Sequence, residues 1–254
     1  MDMQIAQSSD YVASSQLKAS YQTLQSIEPD DFFAMYSLFS RYYDGTSLEE
    51  FSEDFKVKSG AIILRDGTGS IQGFSTQEIS EFAFENERYT VIFSGDTIVD
   101  HHHWGQQALN YEWMRFTGVT SRNMNTEKLY WFLIVKGHRT YRYLQAFYKN
   151  FYPAYNLDTN EMDQKLLHFL AADKYKQNYC ANSGVVKFAA AKCRLKDEWA
   201  EIPLKDRPRP AVQYFLKRNP GYQRGDELAC LCQLSAENHR PFVRRLFLNA
   251  QSVG

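Results

Sequence analysis

Apolar residues change their spacing several times along the chain, and each change marks an element. From Asp30 to Tyr43, after Glu28-Pro29, the residues Phe33, Tyr36, Leu38 and Phe39 fall largely on one side of a helix that Gly45 closes. A helix over Ser15–Gln25 is expected before it. A shorter one over Leu48–Phe55 is expected after it, with Ser47 as N-cap and Glu50 three residues on. At Ala61 the period becomes two. Ala61–Arg65 reads as a strand, Asp66-Gly67-Thr68-Gly69 as a turn and Ser70–Phe82 as the returning strand of a hairpin, followed by a strand over Tyr89–Val99. A helix from Trp104 to about Thr117 carries Leu109, Trp113 and Phe116 inward. Lys128–Lys136 is a nearly continuous apolar run, as a central strand covered on both faces reads. Past Gly137 a helix runs from His138 to Phe151 and stops before Pro153.

The remainder predicts an amphipathic helix over residues 160–178 and short strands around Gly184–Lys192 and Trp199–Ile202. A helix over Ala211–Arg218, a strand over Glu227–Leu234 and a last helix over Asn238–Asn249 follow. This order gives an α/β layout with one sheet sandwiched by helices. Residues 1–13, polar and rich in Ser and Gln, are expected to be a mobile start. Residues 14–254 are expected to form a single domain with a C-terminal extension from about 156.

Charge and composition narrow the class. With 29 basic and 30 acidic residues the net charge is -1, which gives no reason to expect a nucleic-acid partner. No apolar run approaches the ~20 residues of a membrane span. The four cysteines, Cys180, Cys193, Cys230 and Cys232, lack metal-ligand spacing and the N-terminus lacks a basic-then-apolar leader, so a cytoplasmic protein is expected. Aromatic residues reach 15%, with 17 Tyr and 18 Phe, which implies wide apolar surfaces in the core or in a ligand groove.

The most informative stretch joins the strand ending at Val99 to the helix expected from Trp104, through Asp100-His101-His102-His103. Such a junction offers backbone N–H groups and a helix dipole to an anion, and three imidazoles beside it can move protons near neutral pH. On an extended strand His101 and His103 would share one face and His102 the other. Adjacent histidines so arranged cannot all face one ion, and no H-E-x-x-H or Cys cluster backs them, so no metal ligands are expected.

The hairpin Ala61–Phe82, the junction Tyr89–Leu109 and the unit Tyr130–Arg142 together resemble the GNAT acyltransferase superfamily over roughly residues 30–155. The tail around Arg224–Leu231 resembles the closing part of larger members that move long acyl chains onto amines. The resemblance implies a mixed, mostly antiparallel central sheet flanked by helices, a GNAT-like fold with extra C-terminal helices, whose fourth and fifth strands splay around an acyl thioester. The chain departs from the family's Q/R-x-x-G-x-G/A phosphate turn. It has His102-His103-Trp104-Gly105-Gln106-Gln107 there and keeps only Gly105. A carrier-protein thioester, whose phosphopantetheine arm has one phosphate, needs less of that loop.

The function implied is N-acyl transfer from acyl-CoA or an acyl carrier protein to a small-molecule or peptide amine, with no tightly bound cofactor. His102 or His103 is expected as general base, oriented by Asp100 or Asp96, and Tyr141 or Tyr143 returns a proton to the sulfur. Trp104, Gly105 and Gln106 meet the donor's phosphate. Arg139 and Arg142 grip that phosphate or a carrier's acidic helix. Basic residues of the last fifty positions, Arg240 and Arg244 among them, offer a surface for an acidic carrier or peripheral membrane contact. Two rival readings are a catalytically silent binding protein of the same fold and a metal-dependent enzyme using His101–His103.

Overall fold

The computed structural model describes residues 16–158, 160–188 and 193–250; the expected mobile start at 1–13 lies outside them. The chain begins with β1 (Lys18–Thr23), α1 (Pro29–Tyr42), β2 (Tyr43–Asp44) and α2 (Leu48–Lys56). It continues with β3 (Gly60–Arg65), β4 (Ile71–Phe84), β5 (Glu87–Val99), α3 (Ala108–Asn123), β6 (Leu129–Val135) and α4 (His138–Phe147). The second half holds α5 (Glu161–Tyr175), β7 (Tyr179–Cys180), β8 (Val185–Val186), β9 (Arg194–Leu195), α6 (Asp197–Ala200), α7 (Pro210–Arg218), β10 (Glu227–Gln233) and α8 (Pro241–Leu248).

Eight strands form one sheet in the order β1-β3-β4-β5-β6-β10-β8-β7. Every neighbouring pair is antiparallel except β5 and β6, which run parallel. This is the expected mixed, mostly antiparallel sheet flanked by helices. The period-two side-chain alternation of a strand sorts its core into two faces. Ile62, Leu64, Ile92, Leu129, Trp131, Leu133 and Cys230 point to one face, where Trp113, Leu144, Phe215 and Val243 of α3, α4, α7 and α8 cover them. On the other face Ala61, Ile63 and Phe74 pack under α1 and α2, while Val91, Phe93, Phe132, Ala229 and Leu231 pack under α5. Each run buried on both faces therefore reads as unbroken apolar sequence.

The β4–β5 hairpin turns at Glu85-Asn86, both at positive φ, which suits a two-residue connection between twisted strands. At the other end, Ser75 pairs with Thr97 and Gln77 with Ser94, so two residues of β5, Gly95 and Asp96, oppose the single Thr76. This β-bulge bends β5. The parallel pairing of β5 with β6 runs from Thr90–Leu129 to Ser94–Leu133 and stops there, at the bulge. Beyond it the two strands part, as the resemblance implies. The buried Trp131 indole donates to Ser94 Oγ at 2.8 Å and marks the last joined position.

Four expectations are corrected. Residues 18–23 form an edge strand on β3 and not a helix, because strand pairing with Gly60–Arg65 takes their backbone groups. The N–H of Leu17, just before the strand, and the outward N–H of Tyr21 donate to Gln106 Oε1 (2.9 Å) and Glu112 Oε1 (2.8 Å). The helix expected from Trp104 begins at Ala108, after a 3-10 turn at His101–His103 and Gly105 at φ 96°. The helix expected to reach Phe151 ends at Phe147. Tyr148 bridges to His239 instead, and Asn238 receives the Lys149 and Asn150 N–H groups. Trp199 lies in the helical turn α6 and not in a strand, while β9 pairs with β2. Among the described residues no helix is long and apolar enough to cross a membrane.

Candidate active site

The parting of β5 from β6 opens a cleft of about 1500 Å³. Its walls are the freed stretch Gly95–Val99 of β5, the end of β6 with Lys136 and Gly137, and the first turns of α3 and α4. Gly95 is required at the bulge, since a Cβ there would lie 2.7 Å from Thr76 Oγ1 and 3.3 Å from Lys58 Cε.

One end of the cleft carries buried charge. Asp96 projects from the bulge and makes no ion pair or hydrogen bond among the described residues. Burial, reinforced by the nearby Asp54, pushes its carboxyl up to about 6, against the attraction of Lys136 and Lys58. Lys136 pairs with the buried Glu227 at 3.2 Å and sits 5.1 Å over the Tyr43 ring. Burial opposes its charge, yet Glu227 holds the ammonium protonated. Cys193 Sγ lies 3.5 Å from the same nitrogen, and burial pushes that thiol up to about 11. Lys58, fully enclosed, pairs with Asp54 at 2.8 Å. Phe93, Tyr175, Phe188 and Leu195 supply apolar wall between these charges.

The other end is basic. Arg139, Arg142, Lys205, Arg209 and Arg240 line it with one carboxylate, Asp206, which pairs with Arg209 at 2.7 Å and Arg142 at 3.4 Å. The Arg139 guanidinium lies 4.1 Å above the Trp104 ring, whose Nε1 donates to Val99 O at 2.8 Å. Here the first turn of α3 opens into the cleft at Leu109 and Asn110, with N–H groups that have no intrahelical acceptor. His138, first residue of α4, is 3% exposed and its Nε2 has no partner among the described residues. Burial, with Arg139 and Arg142 nearby, pushes the imidazole down to about 4, so it is neutral at physiological pH.

The predicted residues divide. His103, Trp104, Gly105, Gln106, Arg139, Arg142, Tyr143 and Asp96 line the cleft. Within this set Gln106 plays a framing part, since its amide holds His103 Nδ1 at 3.1 Å and accepts from Leu17 N–H. His102 is not brought to the cleft: its side chain is 73% exposed on the outer side of the 3-10 turn, with Nδ1 2.8 Å from Asp100 Oδ1. The helical turn, in place of the extended backbone expected, swings it away. Asp100 is buried beside α1, where Arg41 lies 3.3 Å from its other oxygen. Burial opposes its ionisation, but hydrogen bonds from the His102 ring and N–H, together with Arg41, hold the carboxyl below the usual range. Tyr141 is fully buried and donates to Pro153 O at 2.9 Å, whereas Tyr143, half a turn on, faces the cleft.

Sequence reasoning missed Lys136, Glu227, Tyr43 and Lys58. The available signal was a charge abutting each apolar strand, Lys136 after Val135 and Glu227 before Leu228, whose register pairing with one another puts those charges side by side.

No protein-family model matches this chain, and no curated protein matches it. Solved structures that do include a conserved protein of unknown function from Enterococcus faecalis V583, described as a probable N-acyltransferase. It is 10% identical over 51% of this chain and 32% of that one, with a TM-score of 0.40, so the chain spans about a third of its length. The GNAT family N-acetyltransferase YhbS from Escherichia coli, in complex with CoA, matches at 15% identity over 52% and 69%, TM-score 0.36. Glucosamine-6-phosphate N-acetyltransferase from Arabidopsis thaliana matches at 16% identity over 58% and 99%, TM-score 0.38. At these scores none of them carries an activity to this chain.

Proposed function

We propose that this protein is a thioester-dependent N-acyltransferase of the GNAT type, moving an acyl group from acyl-CoA or acyl-phosphopantetheine of a carrier protein to a small-molecule or peptide amine. The observation that carries this reading is the cleft between two parallel strands that separate at a bulge. Such a gap accepts an extended pantetheine arm and leaves strand N–H groups free to hydrogen-bond its amides and polarise the thioester carbonyl. The basic end, with Arg139, Arg142, Arg209 and the first turn of α3, suits the donor's phosphates. The other end, where Asp96 stands outside the Lys136–Glu227 and Lys58–Asp54 pairs, suits the amine.

In this mechanism Asp96 is the general base, in place of His102. A carboxylate poised near 6 is largely ionised at neutral pH yet basic enough to take a proton as the amine becomes acylated. The amine nitrogen attacks the thioester carbon and its proton passes to Asp96. The tetrahedral intermediate then collapses, the C–S bond breaks, and Tyr143 gives its hydroxyl proton to the departing sulfur. Burial pushes the Tyr143 hydroxyl above its ordinary range, so it holds that proton until the thiolate forms. Solvent exchange restores both groups. Phe93, Tyr175 and Leu195 leave apolar wall for an acyl chain longer than acetyl.

The test is mass spectrometry of the products formed when the protein is incubated with mixed acyl-CoAs, acyl carriers and candidate amines. An N-acyl product that is absent with Asp96→Asn supports the proposal. Thermal stabilisation by thioester donors with no acylated product from any amine would overturn it in favour of a silent binding protein.

A further inference from the structure

The His101–His103 turn is not absorbed by this chemistry, since two of its imidazoles face away from the cleft. On the 3-10 turn the His101 and His102 rings lie side by side, with centroids 3.8 Å apart, and both Nδ1 atoms lie near one oxygen of Asp100, at 3.6 and 2.8 Å. One ligand atom from each of Asp100, His101 and His102 lies within 4.8 Å of the others. A tetrahedral ion with bonds of ~2.0–2.1 Å spaces its ligand atoms about 3.3 Å apart, between the two distances seen. Alternation along a strand would forbid this convergence; the helical turn produces it. Asp100 is buried and anchored through Arg41 on its other oxygen, and the Tyr42 hydroxyl lies 3.1 Å from His101 Nδ1 while accepting from His101 N–H at 2.7 Å. The carboxylate and one imidazole are thus held in place before any ligand arrives.

We propose that Asp100, His101 and His102 form a binding site for one divalent transition-metal ion, on the outer rim of the cleft and apart from the acyl-transfer groups. Two imidazole nitrogens and one carboxylate oxygen are a ligand set suited to Zn²⁺, Co²⁺ or Ni²⁺ and unsuited to Ca²⁺ or Mg²⁺, which prefer oxygen. Each imidazole binds the ion through Nδ1 with its ring proton on Nε2, the Tyr42 hydroxyl gives up its contact with His101 Nδ1, and water completes the coordination. Tying the turn to α1 through Asp100, it stiffens the segment that leads into Trp104 and Gly105.

The experiment titrates the full chain with Zn²⁺ alone against a chromophoric chelator and repeats it with Co²⁺, whose visible absorption reports coordination number. The expected result is one ion per chain, with affinity reduced about tenfold or more in His101→Ala and in His102→Ala. His103→Gln is expected to leave the affinity unchanged, since His103 faces the cleft and Gln106. Circular dichroism confirms that each variant is folded; the exposed His102 makes its variant the decisive one. Absence of stoichiometric Zn²⁺ binding by the wild-type chain would overturn the proposal. So would equal losses in all three variants, the mark of loose chelation by a histidine run. Neither result depends on whether acyl transfer is observed.

Discussion

Replacing Asp96 by Asn should stabilise the protein at neutral pH and sharply lower the proposed acyl transfer. The Asp96 carboxyl rises from 3.8 in the unfolded chain to about 6 in the folded one, chiefly through burial. A folded-state pKa above the unfolded value means that the native state holds the proton more tightly. The associated stability is complete below about pH 4 and is lost as the pH rises through about 6. At ~1.36 kcal/mol per unit the ceiling is about 3 kcal/mol, and because water reaches the cleft the expected cost of ionised Asp96 is on the order of 1–3 kcal/mol. Asn has the same shape and no charge, so it escapes this cost. Thermal melts of wild type and variant at pH 4.5 and 7.5 read it directly: a gap about a third of the full one at the lower pH, and a variant ahead by about 2–10 °C at the higher one. In acyl transfer, kcat/KM of the wild type should climb through about pH 6, while the variant's turnover falls by roughly 10²–10⁴. A variant that melts below wild type at pH 7.5, or a gap that does not widen with pH, refutes the claim that Asp96 is a desolvated carboxylate.

Other perturbations separate the site from its supports. Tyr143→Phe should lower turnover by roughly 10²-fold or more with little change in stability. Tyr141→Phe, which leaves the Pro153 carbonyl without its donor, should cost about 1–2 kcal/mol in urea unfolding and leave turnover intact. Lys136→Met strands the buried Glu227 and should cost about 3–5 kcal/mol, most of it recovered in the Lys136→Met, Glu227→Gln pair; a single variant as stable as wild type would show that the ion pair is not buried. Gly105→Ala meets no atom within 4 Å but forces a side chain onto φ 96°, so a loss of about 1–2 kcal/mol by thermal melting is expected from backbone strain alone.

The sequence made the sheet legible wherever an element's burial was decided by its own pattern. Leu129–Val135 and Glu227–Gln233, covered on both faces, announce themselves as apolar runs. The helix α2 carries its own cap, Ser47 accepting from Glu50 N–H. Residues 18–23 are not legible as a strand because Lys-Ala-Ser-Tyr-Gln-Thr has little pattern of its own, and its conformation is set by pairing with β3 and by Glu112 from a distant position. The site divides in the same way. Trp104, Gly105, Arg139 and Arg142 follow from the junctions after β5 and β6. The choice between Tyr141 and Tyr143, or between His102 and His103, turns on the rotation of a helical turn, which periodicity does not fix when both sides of the turn carry aromatic rings.

The deeper signal was the interruption of good strand chemistry. Asp96 interrupts β5, Lys136 follows the last apolar residue of β6, and Glu227 precedes the first of β10. Because β10 runs antiparallel to β6, with Leu228 opposite Val135, these interruptions meet at one end of three central strands, where β5 turns away. Three apolar residues there would extend the core and close the gap, at a gain in stability. Keeping charge at all three positions opposes folding, and the opening that it lines leaves backbone of β5 and β6 unpaired with each other beyond Ser94 and Leu133. Charge, free backbone and cavity coincide at the carboxyl ends of the parallel strands, where open α/β sheets bind their ligands. A sheet shaped only for stability has no reason to gather the three together.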